Sequence, residues 1–125
     1  MKLFLDTHVI IWLYIRDQKP FSQKALNLID TYDIFIPSIS ILEMQFLYEI
    51  KKLYVNPIDI ITELRETISL LTIHTDSADL IQNALPLNWT RDPFDRLIVA
   101  ETIYHGATLL TKDEVIRKNF NNAVW

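Results

Sequence analysis

The stretch "RDPFDRLIVAETIYHGATLLTKDE", Arg91 to Glu114, contains in order a helix start, a helix stop, a strand and a second helix start. Asp92 is a favoured N-cap, Pro93 suits the first helical position, and Asp95 falls in the first turn, where the helix dipole favours negative charge. Gly106, the only glycine in the chain, closes that helix as the C′ residue. "ATLLT", Ala107 to Thr111, is then a short apolar strand, and "KDEVIRKNF", Lys112 to Phe120, a short helix. The unit is helix, strand, helix, with an acid opening each helix.

Outward from it, the same alternation recurs. "KLFL" (Lys2–Leu5) is an apolar strand, Asp6-Thr7-His8 a turn, and Val9 to Arg16 a helix. Phe21, Ala25, Leu28 and Ile29 have helical spacing, and "DIFIP" after them is a buried strand ended by Pro37. "SISILEMQFLYEIKKLYV", Ser38 to Val55, is one long amphipathic helix with Leu42, Phe46, Ile50 and Leu53 on one side. Ser40 and Glu43 have the S-x-x-E spacing of a capping box at its start. "IDIITELRETI" is a further helix and "SLLTI" a strand. "SADLIQNALPL" is a helix stopped near Pro86, Asn88 to Arg91 a loop, and "AVW" a last strand. Strands alternating with helices predict an α/β fold: a short parallel sheet with helices on both faces, in a single domain spanning residues 1–125.

Composition narrows the chemistry. With 125 residues and no cysteine, the chain has neither a disulfide framework nor a thiolate metal site, and a reducing cytoplasm is the expected setting. Asp6 and His8 interrupt the apolar N-terminal stretch before it reaches the ~18 residues of a membrane span, so no membrane association is expected. A formal net charge of −4 disfavours gripping nucleic acid by bulk positive field, and an anionic substrate needs local cations. A single glycine leaves neither a P-loop nor a dinucleotide-binding turn.

Four acids fall at equivalent places. Asp6 follows the first strand, Glu43 opens the helix after the second, Asp95 opens the helix before the fourth, and Asp113 follows the fourth. In an open parallel sheet these places face one edge, the edge where ligands bind. Converging carboxylates repel one another, and a divalent cation relieves that repulsion. Oxygen donors without cysteine suit a hard ion, Mg²⁺ or Mn²⁺, rather than zinc. Capping alone also explains Asp92, Asp95 and Asp113, and the box with Ser40 explains Glu43. Asp6, with apolar sequence on both sides, is expected to be partly buried and to need a partner. His8 beside it is open to two roles, base or structural hydrogen-bonding group. Trp12, Tyr14, Met44, Phe46 and Tyr48 occupy helical positions suited to core or interface. A haloacid-dehalogenase-type phosphatase would require an acid where His8 stands, and a receiver domain would require a phospho-acceptor acid that "SLLTIHT" lacks.

"FLDTHVIIWL", "PSISILEM", "RDPFDRLIVAETI" and "TLLTKDEVI", in that order and spacing, resemble the PIN-domain ribonucleases, and within them the VapC toxins of toxin–antitoxin pairs. The resemblance covers essentially the whole chain. It implies that Asp6, Glu43, Asp95 and Asp113 are the catalytic, metal-holding acids, with Asp92 as an accessory acid and Thr7, Ser40 and Thr111 as hydroxyl residues near the metal. It implies Mg²⁺ or Mn²⁺, one ion or two, and hydrolysis of RNA phosphodiesters leaving a 5′-phosphate and a 3′-hydroxyl. Arg91, Arg96 and Lys112, with Arg117 and Lys118 beside them, are the candidates for the RNA backbone. The partners implied are an RNA substrate, a cognate antitoxin and a second copy in a homodimer. A housekeeping RNA-processing nuclease and a non-catalytic PIN-fold binding partner are the alternatives.

Overall fold

Short strands with alternating contacts need cover on both sides, and the chain supplies it from two groups of helices. The computed structural model describes residues Met1–Trp125. In chain order the elements are β1 (Lys2–Leu5), α1 (Thr7–Ile15), α2 (Gln23–Thr31), β2 (Asp33–Ile36), α3 (Ser38–Glu49), α4 (Pro57–Ile68), β3 (Leu71–Thr72), α5 (Ser77–Ala84), α6 (Pro93–Tyr104), β4 (Thr108–Leu110), α7 (Glu114–Asn119) and β5 (Ala123–Val124). The strands form one sheet in the order β3-β2-β1-β4-β5, every neighbouring pair parallel. Leu3 pairs with Ile34 of β2 on one side and Thr108 of β4 on the other.

Successive strand residues point to opposite faces, and this splits the core in two. Leu3, Leu5, Ile34, Ile36 and Leu110 pack with Val9 and Ile10 of α1, Ala25 of α2, Met44 of α3 and Ile60 and Leu64 of α4. Phe4, Phe35 and Leu109 pack on the other face with Ile98 and Val99 of α6 and Ile116 of α7. Sequence order reverses at β1, which lies between β2 and β4. The crevice of such a sheet opens outside the carboxyl ends of the strands at that reversal, here β1 and β4. The two ends are joined by the bond from the Asp6 amide to the Leu110 carbonyl, 3.0 Å.

The parallel α/β architecture matches the expectation from sequence, and several boundaries differ from it. The first helix begins at Thr7 rather than Val9, because the Asp6 carboxylate accepts the Thr7 amide and makes Asp6 the N-cap. The helix expected from Ser38 to Val55 ends at Glu49. Lys51 takes a left-handed φ of 62°, and Leu53 turns back into the core at 7% exposure. Burial of one leucine outweighs continuation of a helix whose polar face is already solvated. The capping box does not form either. The α3 N-cap is Pro37, with no side-chain cap, so Ser40 lies inside the first turn, where its hydroxyl is buried and without a partner. Glu43 turns elsewhere. Strand β3 is reduced to Leu71 and Thr72.

Gly106 takes φ +59°, and a Cβ built there would meet nothing within 4 Å. The cost of a side chain is therefore confined to the left-handed backbone. Gly106→Ala is expected to lower unfolding free energy by about 1 kcal/mol, and Gly106→Asn by less, since Asn tolerates this conformation better. Urea unfolding of the three proteins side by side checks the ranking.

Candidate active site

At the carboxyl edge of the sheet, the acids are placed by helix starts and held by hydroxyls. Asp6 leaves β1 with only 4% of its surface exposed. Its Oδ1 accepts the Thr7 amide at 2.8 Å and its Oδ2 accepts the Thr111 hydroxyl at 2.6 Å. A buried carboxylate needs such donors. The Thr7 hydroxyl donates to Glu43 Oε1 at 2.5 Å, tying the end of β1 to α3. Thr111, just beyond β4, also accepts the Asp113 amide at 3.1 Å, and Asp113 caps α7 through the Ile116 amide at 2.9 Å. Asp92 caps α6, accepting the Phe94 amide at 2.8 Å and the Asp95 amide at 3.3 Å. Asp6, Glu43, Asp92, Asp95 and Asp113 line one cleft of about 280 Å³ with Thr7 and His8, and Ile11 and Leu47 form its apolar wall.

The electrostatics follow from that crowding. Asp95 is pushed up from its ordinary 3.8 to about 7, first by burial and then by the charges of Asp92, Asp6, Asp113 and Glu43. Glu43 is also raised, by burial above all and by Asp6 and Asp92, against the Thr7 hydrogen bond that lowers it. His8 Nδ1 lies 3.5 Å from Asp6 Oδ2, and no lysine or arginine is paired to the cluster within 4.0 Å. His8 is itself lowered from its ordinary value, chiefly by burial, with Asp6 and Asp113 opposing. Its Nε2 accepts the Lys112 amide at 3.1 Å, so the ring proton belongs on Nδ1, facing Asp6. Nε2 is engaged by the Lys112 amide and Nδ1 faces Asp6 at 3.5 Å, so His8 spans the ends of β1 and β4.

No three acids or imidazoles are gathered at metal-coordinating spacing, although five acids share the cleft. The two observations agree physically. Asp6, Glu43, Asp92 and Asp113 are each drawn to an amide or hydroxyl donor, Asp95 is raised by burial and by its neighbours' charges, and mutual repulsion keeps the group apart. The carboxylate and hydroxyl donors are all oxygen, and no lysine or arginine is paired to them within 4.0 Å. The Ser40 hydroxyl is buried without a partner and is not among the residues that line the cleft, so the donors are the carboxylates and Thr7. Such a set fits a hard divalent cation.

The basic candidates separate. Arg96 donates to the Ala84 and Leu85 carbonyls at 3.1 and 2.9 Å, and so ties down the end of α5. Arg91 is exposed and reaches the Asn88 carbonyl at 3.0 Å. Lys112 is exposed beside the cleft, and Arg117 donates to its carbonyl at 3.2 Å. Arg117 and Lys118 line a depression on α7 with Glu114, behind Asp113.

One functional-looking group escaped sequence reasoning. Glu101 is 0% exposed, yet it is a carboxylate in the apolar run "LIVAETI" (Leu97–Ile103). It accepts the Ser38 amide at 2.8 Å, the Ser38 hydroxyl at 3.0 Å and the Thr75 hydroxyl at 2.8 Å. An acid on the apolar side of a helix was the available signal. Its partners, 63 and 26 residues away, were invisible in one sequence.

Residues 3–119 match the family model described as the PIN domain. The chain is 32% identical over 120 residues to Ribonuclease VapC22 of Mycobacterium tuberculosis (strain ATCC 25618 / H37Rv), covering 94% of this chain and 91% of that protein. Among solved structures, VapBC2 from Rickettsia felis, bound to a DNA fragment from their promoter, superposes with a TM-score of 0.65 at 21% identity, over 99% of this chain and 96% of that one. The last of these likenesses concerns the fold.

The raised Asp95 fixes a sign for the pH dependence of metal-free stability. Unfolded, this carboxyl titrates near 3.8, and folded near 7. Between those values the folded state holds the additional proton, so stability falls as pH rises through the window and is lowest above 7. The melting temperature of metal-free protein is expected to drop from pH 5.5 to pH 8. Asp95→Asn should flatten that slope and melt higher than the parent at pH 8. An unchanged slope in calorimetric scans of the variant would assign the effect to other groups.

Proposed function

The chain belongs to the PIN-domain family, in its VapC-like branch, and from that premise we propose that it is a divalent-metal-dependent endoribonuclease acting as the toxin of a toxin–antitoxin pair. The observation that carries the reading is the convergence of Asp6, Glu43, Asp95 and Asp113 in one cleft with no lysine or arginine as counter-ion. The 32% identity to a ribonuclease over nearly the whole chain supports the substrate class. Asp6, Glu43, Asp95 and Asp113 would hold the metal, with Asp92 beside them in the cleft. When bound, Mg²⁺ or Mn²⁺ supplies positive charge against the phosphoryl oxygens in the transition state and makes a hydrolytic water easier to deprotonate.

The chain's own residues do the rest. Thr111 and the Thr7 amide orient both oxygens of Asp6, and the Thr7 hydroxyl orients Glu43; fixed orientation spares reorganisation when charge develops. Neutral His8 spans Asp6 and the Lys112 amide, keeping the ends of β1 and β4 at one spacing. Lys112 and Arg91, both exposed and adjacent in the chain to Asp113 and Asp92, are the strongest candidates for contact with the RNA backbone, with Arg117 and Lys118 further along α7. Arg96 acts through α5, whose end it tethers, more than through RNA. Leu42, Phe46 and Ile50 are 57%, 48% and 44% exposed along α3, and this apolar stripe suits an antitoxin segment or a second copy of the chain. No helix is long and apolar enough to cross a membrane.

Purified protein is expected to cleave single-stranded RNA with Mg²⁺ or Mn²⁺ and to stop with EDTA. Cleavage undiminished by the chelator would overturn the metal-dependent reading. Asp6→Asn and Asp95→Asn should each lose on the order of 10²-fold or more in rate, since a neutral amide is a poor ligand for a hard ion. Asp92→Asn keeps a competent N-cap and should cost well under ~1 kcal/mol in stability with a modest effect on rate. Single-turnover assays with thermal melts separate the three.

A further inference from the structure

Helix α3 carries Glu43 and helix α6 carries Asp95, so the spacing of these two acids depends on how the helices are docked. The start of α3 has no cap of its own: Pro37 is its N-cap and offers no side-chain bond. Orphan amides at a helix start require an acceptor and favour a negative one. Here it comes from a different helix. Glu101 Oε2 accepts the Ser38 amide at 2.8 Å, while Oε1 accepts the Ser38 hydroxyl at 3.0 Å and the Thr75 hydroxyl at 2.8 Å.

The proton inventory closes around that carboxylate. Thr75 has one hydroxyl proton and gives it to Glu101, so its 2.7 Å contact with His105 Nε2 requires the imidazole to donate. His105 thus carries its proton on Nε2, and a directed chain runs from His105 through Thr75 to Glu101. Both oxygens of a fully buried carboxylate are satisfied, and three segments meet there: the β2–α3 junction, the β3–α5 junction and α6.

A second contact aligns the same two helices from their other ends. Phe46 of α3 and Phe94 of α6 stack at 6.1 Å between ring centroids. Ser38 with Glu101 and Phe46 with Phe94 are the pairings of an antiparallel helix pair. Glu43 lies five residues beyond Ser38, and Asp95 six residues before Glu101. At about 1.5 Å of rise per residue, the two acids fall at nearly the same level, between a buried polar tie and a half-exposed aromatic one. Glu101 does not line the cleft, so it acts on the cleft through α3.

We infer that Glu101 is a positioning residue, locking the first turn of α3 onto α6 and thereby setting Glu43 against Asp95 for the cation. The inference rests on the nuclease reading above, and a buried polar tie fits it. An apolar contact would hold the helices together, whereas hydrogen bonds in three directions also fix their register.

The test is Mn²⁺ titration of metal-free protein, followed by the resonance of free Mn²⁺, on the parent, Glu101→Gln, Ser38→Ala, Glu43→Gln and Glu101→Gln/Glu43→Gln. Glu101→Gln is expected to raise the Mn²⁺ Kd on the order of 10-fold, as for other residues that support metal ligands, and Ser38→Ala by less. In the Glu43→Gln background Glu101→Gln should add little, because its effect passes through Glu43. Amide exchange at Ile39 to Glu43 should quicken in Glu101→Gln relative to Leu3 to Leu5 of β1. A lower melting temperature with Kd within twofold of the parent, or losses that multiply in the double variant, would overturn the inference. Should Glu101→Gln fail to fold, Ser38→Ala decides it by the same two readings. If the parent itself binds no Mn²⁺, the nuclease reading falls, and exchange rates in α3 decide the tie.

Discussion

A carboxylate at the end of a buried strand has to be paired, and the 2.6 Å bond between Asp6 and the Thr111 hydroxyl is the pairing on which the site depends. Asp6 terminates β1 and Thr111 follows β4, the two strands between which sequence order reverses. That bond and the Asp6 amide to Leu110 carbonyl bond hold the ends of these strands together from both sides of one residue. The crevice is therefore built from the sheet, and its central acid cannot swing away without leaving a buried charge bare. The same Thr111 oxygen accepts the Asp113 amide, so the last acid is registered to the first through a single hydroxyl.

The remaining acids are placed by helix starts. Asp6, Asp92 and Asp113 are N-caps of α1, α6 and α7, and Asp95 is in the first turn of α6. Three helix N-termini thus converge on the cleft, and their partial positive charges offset part of the repulsion among the carboxylates. They do not offset all of it: Asp95 is raised to about 7, first by burial and then by the charges of its neighbours. Capping and metal holding, alternatives when each residue is read alone, are compatible at Asp92 and Asp113, where the cap fixes Oδ1 and leaves Oδ2 for a cation.

Glu43 is the exception, because its helix starts without a cap. Its orientation comes from Thr7 and the docking of its helix from Glu101. The cleft is thus assembled by two means, local bonds near β1 and β4 and long-range bonds across α3 and α6. The second kind is the more vulnerable to distant change, since it passes through a helix before it reaches the acid.

Much of this was legible in the sequence. The apolar runs of Lys2–Leu5, Asp33–Ile36 and Thr108–Leu110 separated by helical periodicity specify a parallel α/β sheet, because hydrophobic spacing is a local property of the chain. Asp6 after an apolar strand and Asp92-Pro93 before an apolar helix mark the edge where the acids gather, again from local capping chemistry. What the sequence could not settle was decided by contacts between distant segments. Ser40 and Glu43 have the spacing of a capping box, but Pro37 had already begun the helix, and Thr7 offered Glu43 a partner 36 residues away. Arg96 stands among the acids in sequence, yet the open carbonyls at the end of α5 take its guanidinium. Leu53 ended α3 early by turning into the core. Glu101 was one more residue in an apolar helix until folding brought Ser38 and Thr75 to it. Periodicity and caps are written in neighbouring residues, whereas the partner of a buried polar group is chosen by the tertiary fold, which alone determines what lies within hydrogen-bond reach.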